Sequence, residues 1–239
     1  MRQILVYADS LTWGIIPDTR RRLPFEGRWP GVMEAELLAS GTSVRVIEDC
    51  LNGRRTVFED PYKPGRNGLI GLQQRIEINS PLDLVILMLG TNDFQSMHPH
   101  NVWHSAQGVG TLVDAVRQAP IEPGMVVPGI LVVAPPPIRE PKGVIAAKFQ
   151  GAAEKSAGLA AALASVARER RCPFFDAGEV TGSSVVDGIH LDADQHLVLG
   201  RAIAGAVGPL LADPFQSHQP ARPAAVDLNR DAADVRRGG

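Results

Sequence analysis

The sequence predicts a three-layer α/β domain in which helices cover both faces of a five-stranded parallel sheet. Five short apolar runs alternate with segments of helical spacing, which is the pattern of β-α-β units joined by right-handed crossovers. The run at residues 84–89 is apolar without interruption. A strand of this composition must be covered on both faces, as the strands of parallel sheets are.

The first half of the chain supplies two strands before this apolar run. The run at residues 4–7 predicts the first strand, and the irregular segment 15–28 predicts a long surface loop. A helix is expected from about Pro30, which suits a first helical position, to a stop near Gly41. An apolar run predicts a second strand at 44–48, and helical spacing predicts a second helix at 69–78.

The second half continues the alternation. After the third strand at 84–89, two more strands are predicted by apolar and aromatic runs at 129–134 and 174–176. Asp192 is a candidate N-cap for the last helix, because its short side chain can accept a hydrogen bond from a free backbone N–H. Apolar residues at helical spacing, or a high alanine content, predict three helices at 102–119, 146–171 and 192–211.

Length and composition indicate one domain followed by a tail. We place the domain at residues 1–212 of the 239. Residues 213–239 are rich in Pro, Ala, Arg, Asp and Gly, and so few large apolar side chains predict a disordered tail. The formal net charge of −2 argues against nucleic acid or an anionic membrane as a partner.

The two cysteines and the absence of an apolar leader bear on location. Cys50 and Cys172 are far apart in sequence and lack the spacing of metal ligands, so we expect reduced, partly buried thiols. Neither a signal peptide nor a transmembrane segment is recognisable. The expected location is therefore the cytoplasm.

Ser10 is the first candidate for chemistry. It follows the first strand, and ligands bind at the carboxyl ends of strands in open α/β sheets, so Ser10 is a candidate nucleophile. The pair Asp9-Ser10 is also typical of a turn or a helix start. Residues elsewhere in the chain must therefore decide between the two interpretations.

Three later polar segments supply partners for Ser10. His190 is the candidate base that a serine hydroxyl needs, and Asp187, three residues earlier, can orient its imidazole. Attack on an ester creates an oxyanion that needs donors already in place. Candidate donors are the backbone N–H groups of Ser10 and Gly53 and the side-chain amide of Asn92.

Each of these segments also has an ordinary structural explanation. Asp187 and His190 can form a helix-entry cap, while Asn52-Gly53 and the segment 90–93 are typical of turns after strands. Their joint occurrence in this order, each beside a strand end or the last helix, favours the catalytic interpretation.

These residues give the sequence a family resemblance. It resembles the SGNH (GDSL-type) hydrolases, and in particular their arylesterase/acyltransferase, or perhydrolase-like, branch. The resemblance extends from about residue 1 to residue 211. The matching stretches are Asp9-Ser10-Leu11-Thr12-Trp13-Gly14, Asn52-Gly53-Arg54-Arg55-Thr56, Leu89-Gly90-Thr91-Asn92-Asp93 and Val186-Asp187-Gly188-Ile189-His190.

The resemblance implies a fold, a site and a function. The fold is flavodoxin-like, the triad is Ser10, His190 and Asp187, and the oxyanion hole comprises Ser10, Gly53 and Asn92. Members of this branch hydrolyse short-chain and aryl esters, and some transfer the acyl group to alcohols or hydrogen peroxide. A small-molecule ester substrate and a homo-oligomer are therefore expected, with no cofactor and no metal. A carbohydrate O-deacetylase is an alternative.

Two features qualify the resemblance. The family begins its first block with Gly-Asp-Ser, whereas this chain has Ala8-Asp9-Ser10, and the added methyl group matters only if Ala8 needs a glycine-like backbone. There is no Gly-x-Ser-x-Gly motif, which argues against the α/β-hydrolase fold.

The pocket residues are less defined than the triad. We expect Trp13 and Asp9 to contribute to substrate binding. Trp29 is a further candidate for the pocket, although aromatic residues beside a strand end are often part of the core.

Two rival functions remain. His98, His100 and His104 suggest a metal site, but Pro99 and the absence of nearby acids or cysteines favour a solvated loop. The other rival is a binding module that kept the cleft and lost catalytic activity. In this interpretation, Ala8 in place of the family glycine is a sign of that loss.

Overall fold

The computed structural model describes residues 1–19 and 21–212. Its sheet contains five parallel strands in the order β2-β1-β3-β4-β5, which is the strand order of the flavodoxin-like doubly wound fold. The predicted fold class is confirmed. The strands are β1 (Arg2–Ala8), β2 (Val44–Cys50), β3 (Leu84–Met88), β4 (Gly129–Ala134) and β5 (Phe174–Asp176).

Strand β1 lies between two neighbours and ends level with both. Ala8, its last residue, is in register with Cys50 of β2 and Met88 of β3. All five residues of β3 are buried, as expected for a strand covered on both faces. The chain segments that leave β1, β2 and β3 therefore start from one edge of the sheet.

Seven helices are present in the described part of the chain. Helix α2 packs against α7, while α4 packs against both α3 and α6, so the two groups cover opposite faces of the sheet. The helices are α1 (Ser10–Trp13), α2 (Trp29–Ala39), α3 (Leu72–Asn79), α4 (Val102–Arg117), α5 (Ala152–Lys155), α6 (Leu159–Glu169) and α7 (Ala193–Ala212).

The predicted single helix at 146–171 is wrong. This stretch begins with short 3₁₀ turns and then contains α5 and α6. Gly151 and Gly158 precede α5 and α6 with φ of +72° and +88°, a left-handed conformation that cannot continue a right-handed helix. The high alanine content predicted helical character, but these two glycines divide it.

Other boundaries agree with the predictions more closely. Asp192 directly precedes α7 and its backbone oxygen accepts from His196, but its side chain accepts a hydrogen bond from the Ser184 hydroxyl at 2.9 Å. Cys50 and Cys172 are free and half-buried. Helix α3 begins three residues later than predicted, at Leu72. The predicted tail at 213–239 lies outside the described residues.

No helix within residues 1–19 and 21–212 has both the length and the apolar character needed to cross a membrane.

Candidate active site

Ser10 is the first residue of the short helix α1, directly after the end of β1. The Asp9 carboxylate caps this helix by accepting a hydrogen bond from the backbone N–H of Leu11 at 3.0 Å. Ser10 is only 6% exposed. The turn from β1 into α1 thus fixes the position of the serine hydroxyl at the sheet edge.

His190 and Asp187 lie beside Ser10, although 180 residues separate the serine from the histidine. Ser10 Oγ is 3.2 Å from His190 Nε2. His190 Nδ1 is 2.6 Å from Asp187 Oδ2. The three predicted triad residues therefore form one continuous line of hydrogen-bonding groups, with the imidazole in the middle.

The loop between β5 and α7 holds Asp187 through its own backbone. Asp187 Oδ1 accepts hydrogen bonds from the N–H groups of Ile189 and His190, both at 2.9 Å. Burial would raise the pKa of Asp187, but the hydrogen bond and charge of His190, with these two N–H groups, hold the pKa below its usual value. Asp187 is therefore an ionised carboxylate facing the imidazole.

Gly53 is held against the end of β1 by its neighbours in the turn after β2. Leu51 N donates to the carbonyl of Ala8 at 3.1 Å, and Arg54 Nη1 donates to the same carbonyl at 2.9 Å. The guanidinium of Arg54 also lies 3.8 Å from the centre of the Tyr7 ring. The turn that carries Gly53 is thus attached to the strand that carries Ser10.

The Asn92 amide has a fixed orientation. Its Nδ2 donates to Asp9 Oδ2 at 2.9 Å, and its Oδ1 accepts from Gln95 Nε2 at 2.7 Å. Complete burial raises the pKa of Asp9 to about 6, against the opposing effects of the Leu11 and Asn92 hydrogen bonds. Asp9 therefore contacts the Asn92 amide directly, in addition to capping α1.

Asp93, next to Asn92, connects three segments. Its Oδ1 accepts from Thr56 N at 3.0 Å, and its Oδ2 accepts from the hydroxyls of Thr56 at 2.8 Å and Ser105 at 2.7 Å. Burial raises the pKa of Asp93 above its usual value despite these donors. The loop after β2, the turn after β3 and helix α4 are joined at this carboxyl.

Comparison with family models and solved structures identifies the class of protein. Residues 9–228 match the GDSL-like lipase/acylhydrolase family. The chain belongs to this family. It is a carboxylic ester hydrolase. Comparison with the curated proteins gives no match.

Solved acylhydrolase structures superimpose on most of this chain. Est24, a carbohydrate acetylesterase from Sinorhizobium meliloti, is 38% identical with a TM-score of 0.82, covering 88% of this chain and 100% of its own. The native aryl esterase of M. smegmatis is 36% identical with a TM-score of 0.82 and the same coverage of 88% and 100%. A lipase/acylhydrolase from Enterococcus faecalis is 19% identical with a TM-score of 0.62, covers 87% of this chain and 96% of its own, and shows the shared fold only.

The alanine in the first block of this acylhydrolase needs no special backbone. Ala8 is fully buried as the last residue of β1, and it is not among the described residues with positive φ. Its carbonyl accepts the two hydrogen bonds from Leu51 and Arg54. The methyl group is therefore accommodated in ordinary strand geometry.

Trp13 and Trp29, the two candidates for the pocket, differ in burial. Trp29 is fully buried, its Nε1 donates to Thr12 Oγ1 at 3.1 Å, and its backbone N–H donates to His196 Nδ1 at 3.3 Å. Trp29 therefore belongs to the core. Trp13 is half-buried, and the Arg22 guanidinium lies 4.6 Å from its ring centre. Trp13 stays a candidate for the pocket wall.

The rings of His98, His100 and His104 pack side by side, with His104 tilted by 38° to His100. His100 stacks on Phe58 with ring centres 3.7 Å apart, and His98 stacks on His100 at 4.8 Å. Burial, with the charges of Arg55 and His100, lowers the pKa of His98 to about 4. Among the described residues, no group of three His, Cys, Asp or Glu side chains is arranged to hold a metal ion.

Sequence reasoning missed two side chains that contact the site. In the sequence, Arg54 stands out only as a member of the stretch Asn52-Gly53-Arg54-Arg55-Thr56, whereas in the structure it is buried and donates a hydrogen bond to the end of β1. Gln95 was not singled out, although its amide contacts Asn92. Arg54 directly follows the family glycine, and Gln95 lies three residues beyond the family asparagine, so position relative to the motifs was the available signal.

Proposed function

We propose that this acylhydrolase cleaves short-chain or aryl carboxylic esters through a covalent acyl-enzyme on Ser10. The observation that carries the proposal is the alignment of three side chains: Ser10 Oγ lies 3.2 Å from His190 Nε2, and His190 Nδ1 lies 2.6 Å from Asp187 Oδ2. These distances are within reach of the proton transfers that a serine nucleophile requires.

In the acylation step, Ser10 Oγ bonds to the ester carbonyl carbon while His190 Nε2 takes the hydroxyl proton. The ionised Asp187 stabilises the imidazolium that forms. The carbonyl oxygen becomes an oxyanion, which would be met by the N–H groups of Ser10 and Gly53 and the second Nδ2 hydrogen of Asn92. When the carbonyl reforms, the ester C–O bond breaks and His190 returns the proton to the departing alcohol.

Deacylation repeats these steps with water as the nucleophile. His190 takes a proton from water as the water oxygen bonds to the acyl carbon. The bond from the acyl carbon to Ser10 Oγ then breaks, and His190 returns the proton to Ser10 Oγ, which gives the carboxylic acid and the free serine. An alcohol or hydrogen peroxide in place of water would give a new ester or a peracid. Hydrolysis ranks first, because transfer requires that water be excluded from the acyl-enzyme.

The first experiment compares the intact protein with Ser10→Ala on p-nitrophenyl acetate and a longer acyl homologue, without added metal. Loss of the nucleophile is expected to lower kcat by about 10³-fold or more. Equal activity of the two proteins would show that Ser10 is not the nucleophile. Activity that survives a chelator would exclude a catalytic metal site at His98, His100 and His104.

A serine-directed fluorophosphonate separates the esterase from a binding module. The intact protein should be labelled once, and Ser10→Ala should not be labelled. A folded intact protein that neither labels nor hydrolyses either ester would favour the binding module.

Carbohydrate O-deacetylation is the second candidate function. It is supported by the 38% identity to Est24, a carbohydrate acetylesterase. Acetate release from acetylated sugars should then be faster, at equal concentration, than hydrolysis of aryl acetates. Preference for aryl esters across acyl lengths would favour the first candidate.

We also propose a cytoplasmic homo-oligomer that acts on small-molecule esters and binds neither nucleic acid nor membrane. The family resemblance supports the oligomer, and the net charge of −2 supports the absence of polyanionic partners. Light scattering on the full chain tests the oligomer. Cell fractionation tests the location.

A further inference from the structure

A buried arginine and a buried glutamine continue the hydrogen bonds of Asn92 on the side of its amide oxygen. Arg55 and Gln95 are both fully buried, and Arg55 Nη2 donates to Gln95 Oε1. Gln95 Nε2 donates to Asn92 Oδ1 at 2.7 Å, and Asn92 Nδ2 donates to Asp9 Oδ2 at 2.9 Å. These four side chains, which we call the amide relay, form one chain of hydrogen bonds.

The two ends of the amide relay determine the orientation of the amides between them. Arginine has donors only, so the atom of Gln95 that faces Arg55 must be its oxygen, and its nitrogen must then face Asn92. An ionised carboxylate only accepts, so Asn92 must turn its nitrogen toward Asp9. The two constraints agree, and both direct the nitrogen of Asn92 toward Asp9, the residue directly before Ser10.

The backbone of Gln95 is also fixed. Lys155 Nζ in helix α5 donates to the carbonyl oxygens of Gln95 and His98, both at 3.2 Å. Gln95 N donates to the Asn92 carbonyl at 3.5 Å, at the end of the 3₁₀ turn that carries Asn92. The glutamine side chain therefore extends back to Asn92 from a backbone held on two sides.

Stability alone does not account for Arg55. Its Nη1 lies 2.9 Å from Asp60 Oδ2, and both side chains are 3% exposed or less. Its Nε has no hydrogen-bond partner among the described residues. Buried ion pairs are often replaceable by apolar residues without loss of stability, because desolvation offsets the attraction. A buried guanidinium with incomplete pairing therefore points to a role in orienting its neighbour.

We propose that Arg55 and Gln95 are positioning residues that fix the Asn92 amide with its nitrogen toward the oxyanion of the reaction. The inference rests on the proposed function, because it assigns Asn92 as an oxyanion donor. Neither residue touches the reacting atoms. Both act through Asn92.

A double-mutant cycle of Gln95→Met with Asn92→Ala tests this role. Gln95→Met keeps the length of the side chain and removes the donor to Asn92, so kcat should fall about tenfold or more, with KM little changed. In the Asn92→Ala background the same substitution should cause no further loss in kcat, because its effect passes through Asn92. A residue with a merely structural role would lower activity in both backgrounds.

The matched control is Gln73→Met, the same substitution in α3, where the Gln73 amide donates to the Ala115 carbonyl at 3.4 Å. It should leave kcat unchanged. Parent-like kcat in Gln95→Met, or losses that multiply in the double variant, would overturn the inference. Ser10→Ala measured in parallel keeps the two claims apart: if it is inactive while Gln95→Met is fully active, only the amide relay is wrong.

The paired variant Arg55→Met with Asp60→Asn tests the other end of the amide relay. Removing both charges avoids an unpaired buried carboxylate. The amide oxygen introduced by Asp60→Asn can still accept from the N–H groups of Tyr62 and Lys63, which Asp60 Oδ1 binds at 2.9 and 3.1 Å. The melting temperature should stay near that of the parent while kcat falls several-fold. Retained kcat in the folded variant would exclude Arg55 from this role.

Discussion

The two sides of the candidate site are positioned in different ways. Ser10, Gly53 and Asn92, the nucleophile side, follow three neighbouring strands whose ends lie at one edge of the sheet. Asp187 and His190, the base side, lie in the loop between β5 and α7. Sheet register positions the first group, and hydrogen bonds within a loop position the second.

The loop of the base side is supported by the segment after β4. Arg139 N donates to the Gly188 carbonyl at 2.9 Å, and Lys142 N donates to the Asp187 carbonyl at 3.0 Å. Ser184 N donates to the His190 carbonyl at 2.7 Å, which closes the loop on itself. A loop held by a few hydrogen bonds has less to resist a backbone change than a strand inside a sheet. This difference predicts that a substitution that shifts the backbone lowers activity more on the base side than on the nucleophile side.

The largest effect is expected from Asp187→Asn. The N–H groups of Ile189 and His190 should hold the oxygen of the new amide where Asp187 Oδ1 is now, so the amide nitrogen would face His190 Nδ1. The imidazole would then carry its proton on Nε2 and could not accept the proton of Ser10. We expect kcat to fall about 10⁴-fold with the fold unchanged by circular dichroism. Activity within tenfold of the parent would contradict this role for Asp187.

Asn92→Ala removes one of the three proposed oxyanion donors of the nucleophile side. We expect kcat to fall about 10²- to 10³-fold while KM changes little, because the lost hydrogen bond forms only in the transition state. Steady-state kinetics on p-nitrophenyl acetate measure both constants. An effect confined to KM would mean that Asn92 binds substrate instead of the oxyanion.

Two glycines compare the sides directly. Gly53 and Gly188 have similar φ, +84° and +79°, so alanine at either site meets backbone strain of roughly 1–2 kcal/mol. A Cβ on Gly188 would lie 2.4 Å from the Glu140 carbonyl oxygen, whereas one on Gly53 would meet nothing closer than Arg66 at 3.9 Å. Gly188→Ala should therefore displace the base side and lower kcat by about 10²-fold.

Gly53→Ala is the matched variant for this comparison and should lower kcat much less, because its N–H is retained and its Cβ has space. The melting temperature should likewise fall more in Gly188→Ala than in Gly53→Ala. An equal decrease in kcat at the two positions would mean that backbone strain, and not the contact with Glu140, causes the loss of activity.

The smallest effect concerns stability and pH. The pKa of Asp9 is raised to about 6 in the folded protein, above the ordinary value of 3.8, so protonation favours folding. The stabilisation from protonated Asp9 is fully present below about pH 4 and is lost as the pH rises through about 6. Its loss lowers the free energy of unfolding by up to about 3 kcal/mol. Asp9→Ala, which removes the hydrogen bonds of Asp9 together with its titration, should therefore lower the melting temperature most near pH 4 and by several degrees less at pH 8. A difference that is independent of pH would exclude Asp9 as the titrating group.

Local patterns predicted the fold well. The runs at 84–89 and 129–134 were found as strands because burial on both faces leaves an apolar signature in sequence. The division of the predicted helix 146–171 was missed, because alanine content outweighs two glycines when only local preference is considered. Helix α7 was placed to within one residue of each predicted end.

The site was predictable only where residues lie in motifs. Ser10, Asn92 and His190 stand at strand ends or in a recognisable block. The structure brings His190 to Ser10 and Asn92 to Asp9, while their catalytic roles stay predictions. The contact of Arg55 with Gln95 joins residues that are 40 positions apart, and no local pattern marks it. Burial of the arginine depends on packing between loops, which periodicity does not describe.

The separation of Ser10 and His190 by 180 positions has a consequence for synthesis. Ser10 is translated together with β1, a strand that needs β2 and β3 on either side of it. His190 follows only after all five strands have been translated. A nascent chain therefore holds Ser10 through 180 residues of elongation before it holds His190, and the contact between the two side chains cannot form during that interval.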